Sequence, residues 1–399
     1  MNRILKQSFA VNYSYDVYFT NGLFKIENPV FYTAIRKPSG VARAVIIMDE
    51  RISEANPELC KEILAYFAAH KAIISLCEPI LLVPGGEAIK NDPGLIKLMY
   101  EHINDAKICR HSYVVAIGGG ALLDAVGFAA ATAHRGIRLI RVPTTVLSQD
   151  DSAVGVKNSI NFFGKKNYIG TFAPPYAVLN DIDFLKSLEF RDWSSGLAEA
   201  VKVSLIKDAD FFQYIHDNVV RLRVHKDVDV MQNIICGSAE LHLKHIGTQG
   251  DPFELGSSRP LDFGHWAAHK LEQITGHRLR HGESVAIGVA LDTTYSYLTG
   301  LLSKKEWQSV LDTLRGLGLA VYVPELMQKM DDPNHVDSIF KGLIEFQEHL
   351  GGELTIMMLE KIGKGTEIHS VDFSIYRDAI KMLAKLPDYQ EQEQEVKSS

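Results

Sequence analysis

Short runs of consecutive apolar residues, separated by helix-length segments, limit what the first half of this 399-residue sequence can fold into. Residues 44–48 (AVIIM) end in Asp49, and 80–83 (ILLV) end in Pro84-Gly85-Gly86. Residues 113–117 (YVVAI) run into Gly118-Gly119-Gly120, 138–142 (RLIRV) run into Pro143-Thr144-Thr145, and 177–179 is a shorter fifth run. Residues 57–69, 94–106 and 122–133 between them have helical length. A strand apolar at every position is buried on both faces, and strands joined through helices run parallel. The pattern predicts an α/β domain with a doubly wound parallel sheet. Residues 158–162 and 168–172 flank the turn Phe163-Gly164-Lys165-Lys166-Asn167, which predicts a hairpin inserted into that domain.

Beyond residue 185 the apolar spacing changes to threes and fours, in 197–206, 210–224, 228–246, 265–275, 283–299 and 305–317. That period predicts a mainly helical second domain. A late strand is expected at 353–359. The expected organisation is therefore 1–185 as an α/β domain, 186–387 as a helical domain, and 388–399 as a polar, disordered tail. The net charge of −7 argues against nucleic acid as a partner, which would favour a basic face. Four cysteines without CxxC pairing predict reduced thiols, and no apolar stretch approaches the roughly 20 residues of a membrane span. With no signal peptide at the N-terminus, the expected location is cytoplasmic.

Three groups of residues have the character needed for chemistry. Gly118-Gly119-Gly120 lies between a strand and a helix, where bare backbone and helix N-terminal amides suit a pyrophosphate. Asp49, at the end of an earlier strand, suits a ribose hydroxyl. A tight structural turn is the equal alternative, and the run is not a GxGxxG fingerprint. His265 and His269 stand at i and i+4, His281 precedes an apolar helix, and Glu199 shares a helix face with Lys202. A carboxylate with two histidines and open positions is a catalytic zinc arrangement. Trp266 stands where HExxH would have glutamate, and packed or surface histidines are the plainer reading. Arg135, Lys157, Lys166 and Lys244, with Asn167, are cations and an amide suited to a phosphate. Taken singly, the lysines read as solvated surface residues.

These elements occur together in an order that resembles the dehydroquinate synthase-like sugar phosphate cyclases, over about residues 44–290. The matching segments are Gly-Gly-Gly-x-x-x-Asp ending at Asp124, His134-Arg135-Gly136, Val142-Pro143-Thr144-Thr145, and Asp151-Ser152-x-x-Gly155-x-Lys157. Gly164-Lys165-Lys166-Asn167-x-Ile169-Gly170, Ser195-Gly196-Leu197-Ala198-Glu199-x-x-Lys202, Gly264-His265-x-x-x-His269 and His281-Gly282-Glu283 complete the set. The resemblance implies that Glu199, His265 and His281 hold zinc, or cobalt, while His269 faces substrate. It implies that Asp151, Lys202 and Lys244 contact substrate hydroxyls, and that Lys157, Asn167 and His269 lie toward the phosphate. Asp151, Lys157, Lys202, Lys244 and His269 are the implied catalytic set. NAD is expected beside Asp49, Glu87, Lys90, Gly119, Gly120, Asp124, Thr144, Thr145 and Lys166. Arg135 is expected to reach a neighbouring subunit, which implies a homodimer. The implied chemistry is that of a carbon–oxygen lyase. The substrate is transiently oxidised by NAD, loses inorganic phosphate, regains its hydride and closes to a six-membered carbocycle.

The departures concern the substrate. Dehydroquinate synthases proper have asparagine at Asp262, arginine at Ser258 (with Arg259 adjacent here), and lysines where residues 346–352 have none. Arg259-Pro260-Leu261-Asp262-Phe263-Gly264-His265 and Glu348-His349-Leu350-Gly351-Gly352 look more like the valiolone-type branch, which acts on heptulose 7-phosphates. His269 is like the dehydroquinate synthase side. The expectation is a substrate of sedoheptulose 7-phosphate type, with Asp262 among the substrate contacts. The alternatives are a 3-deoxy-arabino-heptulosonate 7-phosphate or, if the chain is an NAD- and metal-dependent polyol dehydrogenase, a polyol.

Overall fold

The computed structural model describes residues 3–35, 40–248, 253, 260–349 and 354–386. Its strands are β1 (Asp16–Thr20), β2 (Ala42–Asp49), β3 (Ile74–Leu76), β4 (Leu81–Val83), β5 (Tyr113–Gly118), β6 (Arg138–Pro143), β7 (Lys157–Phe162), β8 (Lys165–Phe172), β9 (Ala177–Asp181), β10 (Ile356–Lys361) and β11 (Lys364–Ile368). Its helices are α1 (Val30–Ala34), α2 (Glu50–Ala55), α3 (Leu59–Ala69), α4 (Pro93–Asp105), α5 (Gly120–Thr132), α6 (Phe190–Lys207), α7 (Ala209–Asp217), α8 (Val219–Arg223), α9 (Val228–Thr248), α10 (His265–Ile274), α11 (His281–Leu298), α12 (Lys304–Gly316), α13 (Lys341–His349) and α14 (Phe373–Leu383).

The chain divides into two compact units: residues 1–143 with 156–181, and residues 144–155 with 182–399. Segment 144–155 falls within the expected 1–185 domain, yet it groups with the helical unit. In the first unit a parallel sheet runs β1-β9-β6-β5-β2-β3, with β4 also on β2. β5 is buried at every position, as its unbroken apolar run requires. β1 has no strong pattern of its own and forms by pairing with β9, Asp16 opposite Ala177. β7 and β8 make a separate antiparallel ribbon, tighter than expected, with Phe162 opposite Lys165.

In the second unit one apolar core runs from Val146 through α6, α9, α10 and α11 to α14. Two expectations change here. The segment expected as one helix over 210–224 breaks into α7 and α8 at Asn218, and His281, expected to precede the apolar helix, is the first residue of α11. The late strand is half of a hairpin, β10 with β11. Among the described residues no helix is long and apolar enough to cross a membrane. Ser258, Arg259, Leu350, Gly351, Gly352 and the tail 388–399 lie outside the described residues.

Candidate active site

α6 carries Glu199 and Lys202 one turn apart, and both are buried, at 1% and 3% exposure. Two glycines let neighbouring backbone come this close. A β carbon on Gly196 would lie 2.4 Å from Leu147 N, so α6 rests on the chain leading into the Ser148–Ser152 turn. A β carbon on Gly282 would lie 1.8 Å from Ser195 O, so the first turn of α11 rests on α6. Glu283 fixes that contact: it accepts from Arg191 Nε at 2.6 Å, Arg191 Nη2 at 2.7 Å and Arg280 N at 2.8 Å.

Glu199, His265 and His281 thereby converge, with one ligand atom from each lying within 4.8 Å of the others. Glu199 Oε1 is 3.6 Å from His265 Nε2 and 3.5 Å from His281 Nε2. Zinc bonds of about 2.1 Å put the edge of a tetrahedron at about 3.4 Å, so these separations fit a shared ion. The donor chemistry fits too. Glu199 Oε2 faces the Lys202 ammonium, while Oε1 is buried toward the two histidines without a hydrogen-bond donor, an arrangement that is costly unless a cation completes it. Burial holds the His265 imidazole well below its ordinary value, as do Lys202 and the other two histidines, so the ring is neutral and its lone pair free to ligate. Each histidine turns Nδ1 away, His265 toward Phe263 O at 3.3 Å and His281 toward Glu272 Oε1 at 2.5 Å. Such outer partners fix the ring and present Nε2 to a metal. His269 stands alongside, its ring centroid 5.5 Å from that of His265 and 5.9 Å from that of His281.

Around this cluster the charges are mainly carboxylates facing one ammonium. Lys202 pairs with Glu199. Burial would lower its ammonium, but Glu199, Asp151 and Asp262 outweigh that and raise it. Burial and Glu199 would raise Asp151, yet His242, whose Nδ1 is 2.8 Å from Asp151 Oδ1, and Lys202 bring it below its usual value. Glu199 itself, pushed up by burial, is drawn down to about 2 by Lys202 and His281. Asp150 is fully buried, both its oxygens are without a hydrogen-bond partner, and burial with Asp151 and Glu199 nearby pushes it well above the carboxylate range. Lys244 lies two residues beyond His242 on α9 and is exposed.

In the first unit Lys90 is the hub. Its buried Nζ donates to Asp124 Oδ2 at 2.7 Å, to Ser159 Oγ at 3.1 Å and to Asn167 Oδ1. Asn167, expected toward the phosphate, thus has its carbonyl on the same lysine as Asp124. Glu87 Oε1 accepts from Asn161 Nδ2 at 2.9 Å. Asp49 caps α2 and binds Arg51 through N at 3.0 Å and Nη2 at 2.9 Å. α5 starts at Gly120 with no side chain capping it, which leaves its first amides for a ligand such as pyrophosphate. Lys157 opens β7 and Lys166 lies on β8. Arg135 follows His134 in left-handed backbone, φ 64° and 50°, before Gly136 at 115°. Thr144 and Thr145 group with the second unit, where Thr145 Oγ1 is 2.8 Å from Ser148 Oγ.

Glu272, Asp150, His242, Ser159 and Asp292 join these sites without belonging to any of the sequence motifs. Glu272 had a findable signal, since it lies seven residues after His265 on the same helix face. The others acquire their neighbours from distant segments.

Comparison with known proteins gives matches throughout. The family profile described as 3-dehydroquinate synthase N-terminal covers residues 80–195, and 3-dehydroquinate synthase C-terminal covers 196–338. A protein from Cereibacter sphaeroides named 3-dehydroquinate synthase is 33% identical over 352 residues, 88% of this chain and 90% of its own length. The solved structure of 2-epi-5-epi-valiolone synthase from Streptomyces hygroscopicus, with NAD+ and Zn2+ bound, superposes with a TM-score of 0.84 at 27% identity, covering 96% of this chain and 99% of that one. 2-Deoxy-scyllo-inosose synthase, in complex with carbaglucose-6-phosphate, NAD+ and Co2+, shares the fold at a TM-score of 0.72 and 23% identity, over 92% of this chain and 96% of its own.

Proposed function

Because this chain belongs to the 3-dehydroquinate synthase family, we propose that it is an NAD- and zinc-dependent sugar phosphate cyclase acting on a heptulose 7-phosphate of the sedoheptulose 7-phosphate type. It releases inorganic phosphate and forms a carbocycle. The observation that carries the substrate choice is Asp262, a carboxylate within electrostatic reach of Lys202, which already faces Glu199 and Asp151. A substrate carboxylate brought there would meet like charge, whereas a hydroxylated, carboxylate-free end offers Asp262 a hydrogen bond.

When bound, NAD supplies reversible hydride removal, and zinc supplies Lewis acidity that stabilises negative charge on a substrate oxygen. Glu199, His265 and His281 would hold the metal. Asp49, Glu87, Lys90, Gly119, Gly120, Asp124, Thr144, Thr145 and Lys166 would hold NAD, the uncapped start of α5 taking the pyrophosphate. Asp151, kept ionised and oriented by His242, accepts a hydrogen bond from a substrate hydroxyl. Lys202 keeps its proton and neutralises charge as it develops on the substrate. Lys244 binds a neighbouring hydroxyl, and Lys157, Asn167 and His269 bind the phosphate. Arg135 of a second subunit completes the anion site, so the working unit is a homodimer. The free cysteines among the described residues are in keeping with the reducing cytoplasm.

The test is incubation of the full chain with NAD+, Zn2+ and either sedoheptulose 7-phosphate or 3-deoxy-arabino-heptulosonate 7-phosphate, following phosphate and the cyclic product. Turnover of the heptulose with no net NADH is expected. Turnover of the heptulosonate alone establishes the second reading, 3-dehydroquinate synthase, which is favoured by the names of the relatives and by His269. Stoichiometric NADH without phosphate would make the chain a polyol dehydrogenase.

A further inference from the structure

We propose that Asp292 is a positioning residue for the metal centre, setting the ligand-bearing helices α10 and α11 in fixed register. It rests on the reading of Glu199, His265 and His281 as metal ligands. Asp292 is fully buried on α11, the helix that begins with His281. Its carboxylate receives three donors from two other elements. Gly264 N donates to Oδ2 at 3.1 Å, Trp266 Nε1 lies 3.0 Å from Oδ1 and 3.2 Å from Oδ2, and Tyr376 Oη donates to Oδ1 at 2.8 Å. Gly264 and Trp266 are the residues on either side of His265, and Tyr376 belongs to α14. A single side chain on the helix of one ligand therefore grips both neighbours of the other.

The backbone at this crossing leaves no slack. Gly264 has left-handed backbone at φ 77°, and a β carbon there would lie 2.5 Å from Val289 N. A β carbon on Gly288 would lie 2.0 Å from Gly264 O. α10 and α11 thus touch backbone to backbone one turn before Asp292, and the carboxylate determines how they are rotated against each other. The choice of residue follows from the hydrogen-bond inventory. An ionised carboxylate only accepts and can serve all three donors, whereas an amide, like the protonated acid, would turn a donor toward one of them. Burial pushes this carboxyl up to about 7, with the three donors opposing, so the group is maintained against an unfavourable environment. A hydrophobic residue of similar size would fill the space at no such cost.

Asp292→Asn, Tyr376→Phe and Trp266→Phe are compared with wild type and with His265→Ala, using the full chain stripped of metal. Zn2+ affinity is measured against a chromophoric chelator, and Co2+ is titrated by its visible absorption bands. Outer-shell changes weaken metal binding about 10- to 100-fold, and Asp292→Asn is expected in that range with shifted Co2+ bands. Tyr376→Phe and Trp266→Phe, each losing one donor, fall between it and wild type, and NAD+ binding is unchanged in all three. Wild-type Zn2+ affinity and Co2+ bands in Asp292→Asn, while His265→Ala loses metal, would overturn the inference. If Asp292→Asn does not fold, unchanged Zn2+ affinity in both single-donor variants overturns it equally. Retention of metal by His265→Ala instead removes the metal reading on which the inference stands.

Discussion

Gly282→Ala is the smallest change that separates the two sides of the candidate metal cluster. The added β carbon would lie 1.8 Å from Ser195 O and 2.6 Å from Ser195 C, both backbone atoms of α6. Neither can rotate away. A carbon and a carbonyl oxygen approach no closer than about 3.3 Å, so α11 must retreat from α6 by about 1.5 Å. His281 is the preceding residue, and its Nε2 is 3.5 Å from Glu199 Oε1. A zinc site tolerates about 0.2 Å in its bond lengths, so a shift of that size leaves Glu199 and His281 unable to share one ion. Overpacking adds about 1–3 kcal/mol of destabilisation. Loss of a zinc held at 100 times its dissociation constant removes about 2.7 kcal/mol more. The assay is zinc per chain after dialysis, with thermal unfolding recorded with and without added Zn2+. Wild type should retain the metal and unfold higher with Zn2+, and Gly282→Ala should do neither while still binding NAD+. One tightly held zinc per chain in the variant would refute the geometry.

Three further outcomes follow from named contacts. Glu272→Gln, which weakens the grip on His281 Nδ1, should lower Zn2+ affinity about 10- to 100-fold in the same competition assay. Lys90→Met keeps the stem of that side chain but leaves Asp124 without its ammonium. Because Asp124 is 22% exposed, the loss should be at or just below the lower end of a broken buried pair, about 2–3 kcal/mol by urea unfolding. The Asp292 carboxyl, raised from 3.8 to about 7, keeps a proton in the folded state that the unfolded chain gives up. Its contribution to stability is therefore full below pH 4 and declines by about 1.4 kcal/mol per pH unit until pH 7, then levels. The stability of wild type relative to Asp292→Asn, measured by denaturant at several pH values, should fall over that window and not above it.

Much of the architecture was legible because its causes are local. A run such as 113–117, apolar at every position, can only be buried on both faces, and β5 is. Spacings of three and four marked α6, α9, α10 and α11 to within a few residues, apart from α6, which starts seven residues before the marked run. The residue types of the candidate metal cluster also stood in the sequence, as did the glycines beside them at 196, 264 and 282. Local spacing alone could not rank His265 above His269, because positions i and i+4 share one helix face. What separates them is the arrival of Glu199 and His281 from α6 and α11, which depends on where Gly196 and Gly282 allow backbone to meet backbone. β1 forms against β9, more than 150 residues away, and has no pattern to announce it. The segment 144–155, between two strands of the sheet, groups with the helical unit because Val146 enters that unit's core and Gly196 packs on its backbone. Asp292 reads in the sequence as an acidic residue next to hydroxyl residues on a largely apolar helix, and its meaning comes from three donors converging on it from α14 and the start of α10. The sequence by itself determined elements and chemical inventory, since these depend on neighbours along the chain. The tertiary structure decided which groups share a site, since that depends on packing between segments that no local pattern encodes.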